Sequence, residues 1–246
     1  MSRRPNAALP LWLAAFLLLP AAALPASFFV SPVRVDLSVR KPTAAMTVRN
    51  DSAQPVVIQL QATAWMQADG QDRTTPTSDL IATPPLFTLQ PQDAQIVRVG
   101  LRKPDVLAIK EQTFRVFLQE VPPRPKPGDQ GVTMALRLSI PVFVAPASPK
   151  GSGLTWRADV QQNGEINLRV ENSGDTHSQI TQLRLFAEKG EKPLATVDVV
   201  NYVLAGQSRE WKFKPESNPS VTNRRLHLIA ETDAGRVDTD LDLSAR

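Results

Sequence analysis

The sequence contains no cysteine, so neither a disulfide framework nor thiol chemistry is available and stability must come from packing. Only two histidines occur. Neither His177, in NSGDTHS, nor His227, in RLHLIAE, has a second His or Cys at ligand spacing, so no metal centre is expected. No GxSxG elbow, HExxH helix, phosphate-cradling glycine loop or dinucleotide fingerprint is present, and the carboxylates Asp36, Glu120 and Asp129 are scattered. An enzyme and a bound cofactor are therefore not expected. The four tryptophans are dispersed along the chain and suggest no aromatic platform for carbohydrate. The net charge of +4 leaves no nucleic-acid footprint. Beyond the first 26 residues, no apolar run approaches the roughly 18 residues that a membrane span requires.

Those first residues, MSRRPNAALPLWLAAFLLLPAAALPA, place Arg3 and Arg4 before the apolar run Leu11–Leu19 and then small residues. This is the pattern of a secretory signal, with cleavage expected after Ala23 or Ala26. Its removal lowers the formal charge from +4 to +2. The mature protein is expected to be exported and soluble. With 42% apolar residues it has enough material for a real core.

From Phe28 onward, apolar residues alternate in short segments broken by Pro, Gly, Asn and Asp, which is the period of β-strands. Strands are expected near 29–39, 45–49, 56–65, 80–81, 87–89, 95–101, 113–120 and 132–144, enough for an immunoglobulin-like sandwich. The stretch PASPKGSG then interrupts the pattern. Further strands are expected near 154–161, 165–171, 180–187, 195–200, 208–213, 225–231 and 236–243, with hairpin turns at Asn163-Gly164 and Asp233-Ala234-Gly235. The resulting division is a signal peptide at 1–26, a first sandwich domain at 27–146, a linker at 147–153 and a second sandwich domain at 154–246.

Two features remain unexplained by a pair of ordinary sandwiches. The first is GVTMALRLSIPVFVAP, whose alternate residues Val132, Met134, Leu136, Leu138, Ile140, Val142 and Val144 are all apolar. At roughly 3.3 Å per residue it would extend about 40 Å, well beyond a usual strand. The second is a set of arginines inside apolar segments: Arg34, Arg98, Arg115 and Arg137. Each could point to solvent, or several could meet in a cleft and grip a carboxylate through paired hydrogen bonds. Glu120, at the end of TFRVFLQE, could either pair with an arginine or lie exposed.

The ordered set VSPVRVDL, MTVRN, QPVVIQLQATAW, LIATPPLFTLQP, QIVRVGL, TFRVFLQEVPP and PVFVAP, followed by LRVENSGDTHSQITQLRLF and VLAGQSREWKF, resembles the periplasmic chaperones of the chaperone-usher pathway. The resemblance covers nearly the whole mature chain. It implies two immunoglobulin-like domains set as a boomerang in the periplasm. The partners implied are pilus or fimbrial subunits and an outer-membrane usher. Subunits of this pathway lack their last strand, and the chaperone's long strand enters the vacant groove by β-strand addition. Val132, Met134, Leu136, Leu138 and Ile140 are then the expected donor residues.

The same resemblance implies a pair of basic residues in the interdomain cleft that bind the subunit's C-terminal carboxylate. The first falls on Arg34. The second, usually a lysine on the long strand, falls on Pro141, which can neither bind a carboxylate nor donate a ladder hydrogen bond. This departure points to a divergent branch in which Arg98 and Arg115 are the expected substitutes. The segment VPPRPKPGDQG is shorter than in the branch with a long connection and extra disulfide, and its prolines are expected to keep it extended. The main alternative to a chaperone is a structural pilus subunit or adhesin built from related sandwiches.

Overall fold

Alternation of buried and exposed residues runs through most of the described strands, and the computed structural model describes residues 28–103, 108–123, 134–161, 163–187, 192–214 and 225–245. The expected signal segment and donor residue Val132 lie outside the described residues, as does most of VPPRPKPGDQG. Every regular element described is a β-strand.

Ten strands form the first sandwich. Four of them, β1 (Phe28–Ser31), β3 (Thr43–Asn50), β8 (Ala94–Leu101) and β6 (Leu80–Thr83), make one sheet in the order β1-β3-β8-β6. The facing sheet runs β2 (Val35–Ser38), β10 (Arg137–Ala145), β9 (Gln112–Glu120), β4 (Val56–Ala68) and β5 (Gln71–Pro76), with β7 (Leu86–Leu89) also on β4. Met46, Val48, Val97 and Val99 from the first sheet meet Ile58, Val116, Leu118, Ile140 and Val142 from the second in one buried core.

The single strand expected over 29–39 is in fact two. Pro32 follows a cis peptide bond at Ser31 and has no N–H for a ladder. At this point the chain leaves β3 and crosses to the opposite sheet, where β2 pairs parallel with β10 from Val35↔Val142. Arg34 therefore lies in the crossover immediately before β2, not inside a strand. The long strand is also shorter than expected, beginning at Arg137 rather than Val132.

The second sandwich uses β11 (Leu154–Val160), β12 (Ile166–Asn172), β13 (Ser178–Ala187), β14 (Pro193–Val203), β15 (Ser208–Phe213), β16 (Arg225–Thr232) and β17 (Gly235–Ala245). Strand β17 is antiparallel to β16 over most of its length and pairs parallel with β11 at its end, so it links the two layers. Leu168, Val170, Leu183, Leu185, Val203 and Leu228 fill this core. Trp156 and Trp211, far apart in sequence, stack at 6.1 Å within it rather than forming a surface platform.

The sandwiches share one polar device. Asn50, at the end of β3, is fully buried and its amide donates to the carbonyls of Gln54, Leu89 and Gln90 while its Oδ1 accepts from Ser52. Asn172, at the end of β12, does the same with the carbonyls of Thr176 and Val203 and the N–H groups of Gly153 and Gly174. Each asparagine satisfies backbone groups where a strand turns away from its sheet, which apolar packing cannot do.

Candidate functional site

Strand β10 has two faces and two edges, and each is used differently. Its even residues point into the first core, where Ile140, Val142 and Val144 are buried and Leu138 packs at the margin. Its odd residues point the other way. Arg137 lies over the Phe117 ring at 4.1 Å, Ser139 accepts a hydrogen bond from Arg115, and Phe143 packs against the second domain.

The hydrogen-bonding edges follow from the register. The Glu120 N–H donates to the Leu136 carbonyl, and Val116 stands opposite Ile140. In an antiparallel pair the ladder bonds come from alternate residues, so the even positions of β10 bond to β9 and the odd ones face away. From Val142 onward that outer edge is covered by β2. Along Arg137–Pro141 no described strand pairs with it. The missing N–H of Pro141 also falls on this outer side, so proline interrupts no bond to β9.

The apolar residues of this strand grade from exposed to buried. Met134 is 69% exposed, Leu136 36%, and Ile140 only 4%. Ile140, expected as a donor residue, is thus committed to its own domain's core. Met134 and Leu136 precede the regular strand, and Leu136 is held in line by Glu120. That carboxylate is buried and accepts from the Leu136 N–H at 3.2 Å, so its partner is backbone rather than an arginine.

The odd face of β10 leads into a cavity of about 550 Å³ between the domains, lined among others by Arg34, Asp72, Arg115, Pro141, Tyr202 and Arg209. Arg115 of β9 stands opposite Pro141. Its guanidinium lies 3.8 Å from the Trp65 ring centre, donates to Ser139 Oγ at 3.0 Å and pairs with Asp72 at 3.2 Å. Burial lowers its pKa, opposed by Asp72 and Tyr202. Arg34 pairs with Asp36 on the crossover side and keeps much of its side chain exposed. Burial raises the Tyr202 phenol, with Arg34 and Arg115 opposing, so the hydroxyl stays neutral among cations.

Arg98 is not part of this group. It lies in β8 of the other sheet, exposed and opposite Ala45 and Thr83. Two members of the cavity had no place in the expected set. Asp72 sits on β5, an entirely exposed and polar strand. It is placed by a two-residue hairpin in which Asp69 and Gly70 both have positive φ, as such turns require. Arg209 comes from β15 of the second domain. The sequence signal for it was the basic residue in AGQSREWKF, which alternation alone could not direct toward the first domain.

Below the cavity the domains are joined by specific contacts. Gln67 donates to the Tyr202 carbonyl at 2.7 Å and accepts from the Leu204 N–H at 3.1 Å, so one side-chain amide reads two backbone groups of the other domain. Trp65, Phe143, Tyr202 and Leu204 form a buried cluster around it. His177 stacks on Phe143 with ring centres 3.6 Å apart and contacts Glu111 at 2.7 Å. The other histidine, His227, lies between Asp238 and Asp240 of β17.

Comparison with known proteins places these features in a family. Residues 27–150 match the pili and flagellar-assembly chaperone family, PapD N-terminal domain. The probable fimbrial chaperone LpfB of Escherichia coli O157:H7 is 29% identical over 73% of this chain and 75% of its own. The chaperone protein PapD of Escherichia coli is 31% identical over 43% of each chain. Among solved structures, a chain of the Acinetobacter baumannii CsuC–CsuE chaperone–tip adhesion subunit complex aligns with 89% of this chain and 99% of its own, at a TM-score of 0.63 and 17% identity. The Salmonella enterica complex of SafA pilin with the SafB chaperone aligns with 87% of this chain and 94% of that one, at a TM-score of 0.59 and 20% identity. These neighbours share the two-sandwich fold. The chain belongs to the PapD-like family of pilus-assembly chaperones.

Proposed function

We propose that this protein is a periplasmic chaperone that binds fimbrial subunits by donating part of strand β10 and delivers them to an outer-membrane usher. The observation that carries this reading is the open edge of β10. Its outward backbone groups at Arg137 and Ser139 face no described strand, and the apolar side chains of Leu138, at the margin of the host core, and of Leu136 and Met134 before it continue its inner face. An incomplete subunit sandwich needs both things, a ladder of main-chain hydrogen bonds and a row of side chains for its groove. Full burial of three such side chains contributes roughly 1.5–3 kcal/mol each before the costs of association.

The cavity supplies the second element. Arg34 and Arg115 converge on it next to the open edge, so a subunit's C-terminal carboxylate held there would fix the register in which the groove meets the strand. Related chaperones have been solved with a tip subunit and with a pilin, which supports the same use here. A structural subunit built from similar sandwiches is disfavoured by the family match, which is to assembly chaperones.

The reading is tested by co-expressing the full chain in the periplasm with fimbrial subunits of its own organism. Soluble one-to-one complexes are expected. Subunits that remain insoluble or degraded in its presence would overturn the assignment.

A further inference from the structure

The carboxylate anchor of this family resemblance is a first-domain device, yet the cavity here is not a first-domain cavity. Arg209 enters it from β15, with its side chain mostly buried and its Nη1 3.1 Å from Asp72 Oδ1. The other oxygen of Asp72 is 3.2 Å from Arg115 Nη2, and Gln67 donates to Asp72 at 3.0 Å. One carboxylate therefore ties a guanidinium of each domain to the same point.

The charges do not balance. Of the three guanidinium groups that line the cavity, Arg115 and Arg209 share the one carboxylate of Asp72 while Arg34 pairs with Asp36, which leaves one positive charge in excess. The walls between them are mixed, apolar at Val33, Pro141 and Val200 and polar at Ser139, Gln179 and Asn201, and the apolar parts strengthen the field of an unbalanced cation. Arg115 has little left to offer a ligand, because Ser139, Asp72 and the Trp65 ring already hold it. Arg209 is differently placed. Asp72 takes one of its nitrogens, and among the described residues no other partner occupies the rest of its five-donor fork.

We propose that Arg209 is a direct ligand of the subunit's terminal carboxylate, so that the anchor is shared by both domains. Arg34 and Arg209 approach the anion from opposite domains, while Arg115, braced by Asp72, supplies the field between them. The inference rests on the reading above that a subunit carboxylate enters this cavity. Its consequence is that occupancy of the cleft bridges β15 to the first domain, coupling the second sandwich to a strand-donation event in which it would otherwise take no part.

The test uses the purified full-length chaperone and a synthetic peptide of the cognate subunit's C-terminal residues, in free-acid and C-terminal-amide forms. The wild type is expected to favour the acid by about tenfold or more, the scale of a charge-assisted contact. Arg209→Gln is expected to remove most of that preference while leaving amide binding unchanged, and Arg209→Lys to retain part of it. A full acid preference in Arg209→Gln would overturn the inference alone, provided that Arg34→Gln still abolishes it. Absence of any acid preference in the wild type would overturn both the inference and the carboxylate reading beneath it. Unfolding temperatures check that each variant is folded, and Arg209→Lys serves as the probe if Arg209→Gln is not.

Discussion

Pro141 of β10 stands directly opposite Arg115 of β9 in the ladder, and both line the interdomain cavity. In the proposed reading, the Arg115 guanidinium, a single strand spacing away, supplies the positive field that a lysine at position 141 would have given. The exchange explains how a proline is tolerated at the position where related chaperones are expected to carry a lysine. It also makes the two positions interchangeable in a testable way.

Arg115→Ala is expected to lower subunit recovery in co-expression, and adding Pro141→Lys to that variant is expected to restore part of it. Pro141→Lys alone should leave recovery close to wild type, since the proline's missing N–H lies on the edge away from β9. A double variant no better than Arg115→Ala would show that the cation must come from β9.

The gradient along β10 separates folding from function. Met134→Asp with Leu136→Asp is expected to abolish complexes while shifting the chaperone's own stability little, because Met134 is exposed and Leu136 is at the margin. Ile140→Ala is expected to cost about 2–5 kcal/mol by urea denaturation, as for other buried aliphatic truncations. Intact complexes with the double Asp variant would reject the donor assignment.

Phe143 lies on the same strand but faces the other way, packed with Trp65, Tyr202 and Leu204 and stacked on His177. Phe143→Ala is expected to destabilise the protein by about 3–5 kcal/mol. A loss below 1 kcal/mol in urea denaturation would mean that the domain junction does not depend on this cluster.

Asn50 and Asn172 hold corresponding turns in the two sandwiches through several backbone hydrogen bonds each. Replacing Asn50 by Ala leaves buried carbonyls unpaired and is expected to cost about 1–3 kcal/mol. The corresponding change at Asn172 should behave alike, and a neutral result at both would assign those turns to packing alone.

Alternation of apolar residues made most of the fold legible, because a half-buried strand must alternate. The same rule missed β5, whose residues Gln71–Pro76 are all exposed, and with it Asp72. It also ran one strand through Pro32, although a proline there sends the chain from one sheet to the other and leaves Arg34 in the crossover. Arg115 could be selected for the cavity only because it sits inside an apolar strand, and Arg98 satisfied that criterion equally well. What separates them is which sheet each strand joins, a property of tertiary pairing that period alone does not carry. Arg209 was illegible for a related reason: its meaning depends on how a second domain is docked. Ile140 lies on the open part of the β10 edge and yet has its side chain buried in the first core, a distinction set by how the two sheets pack and not by period.

The central claim is that the outer edge of β10 between Arg137 and Pro141 is unpaired in the free chaperone and is completed by a subunit. Amide hydrogen exchange at Arg137 and Ser139, measured by NMR on the free chaperone and on a purified complex, tests it most directly. Rapid exchange in the free protein and strong protection of both amides in the complex are expected. Protection already present in the free protein, or exchange unchanged on subunit binding, would contradict the account.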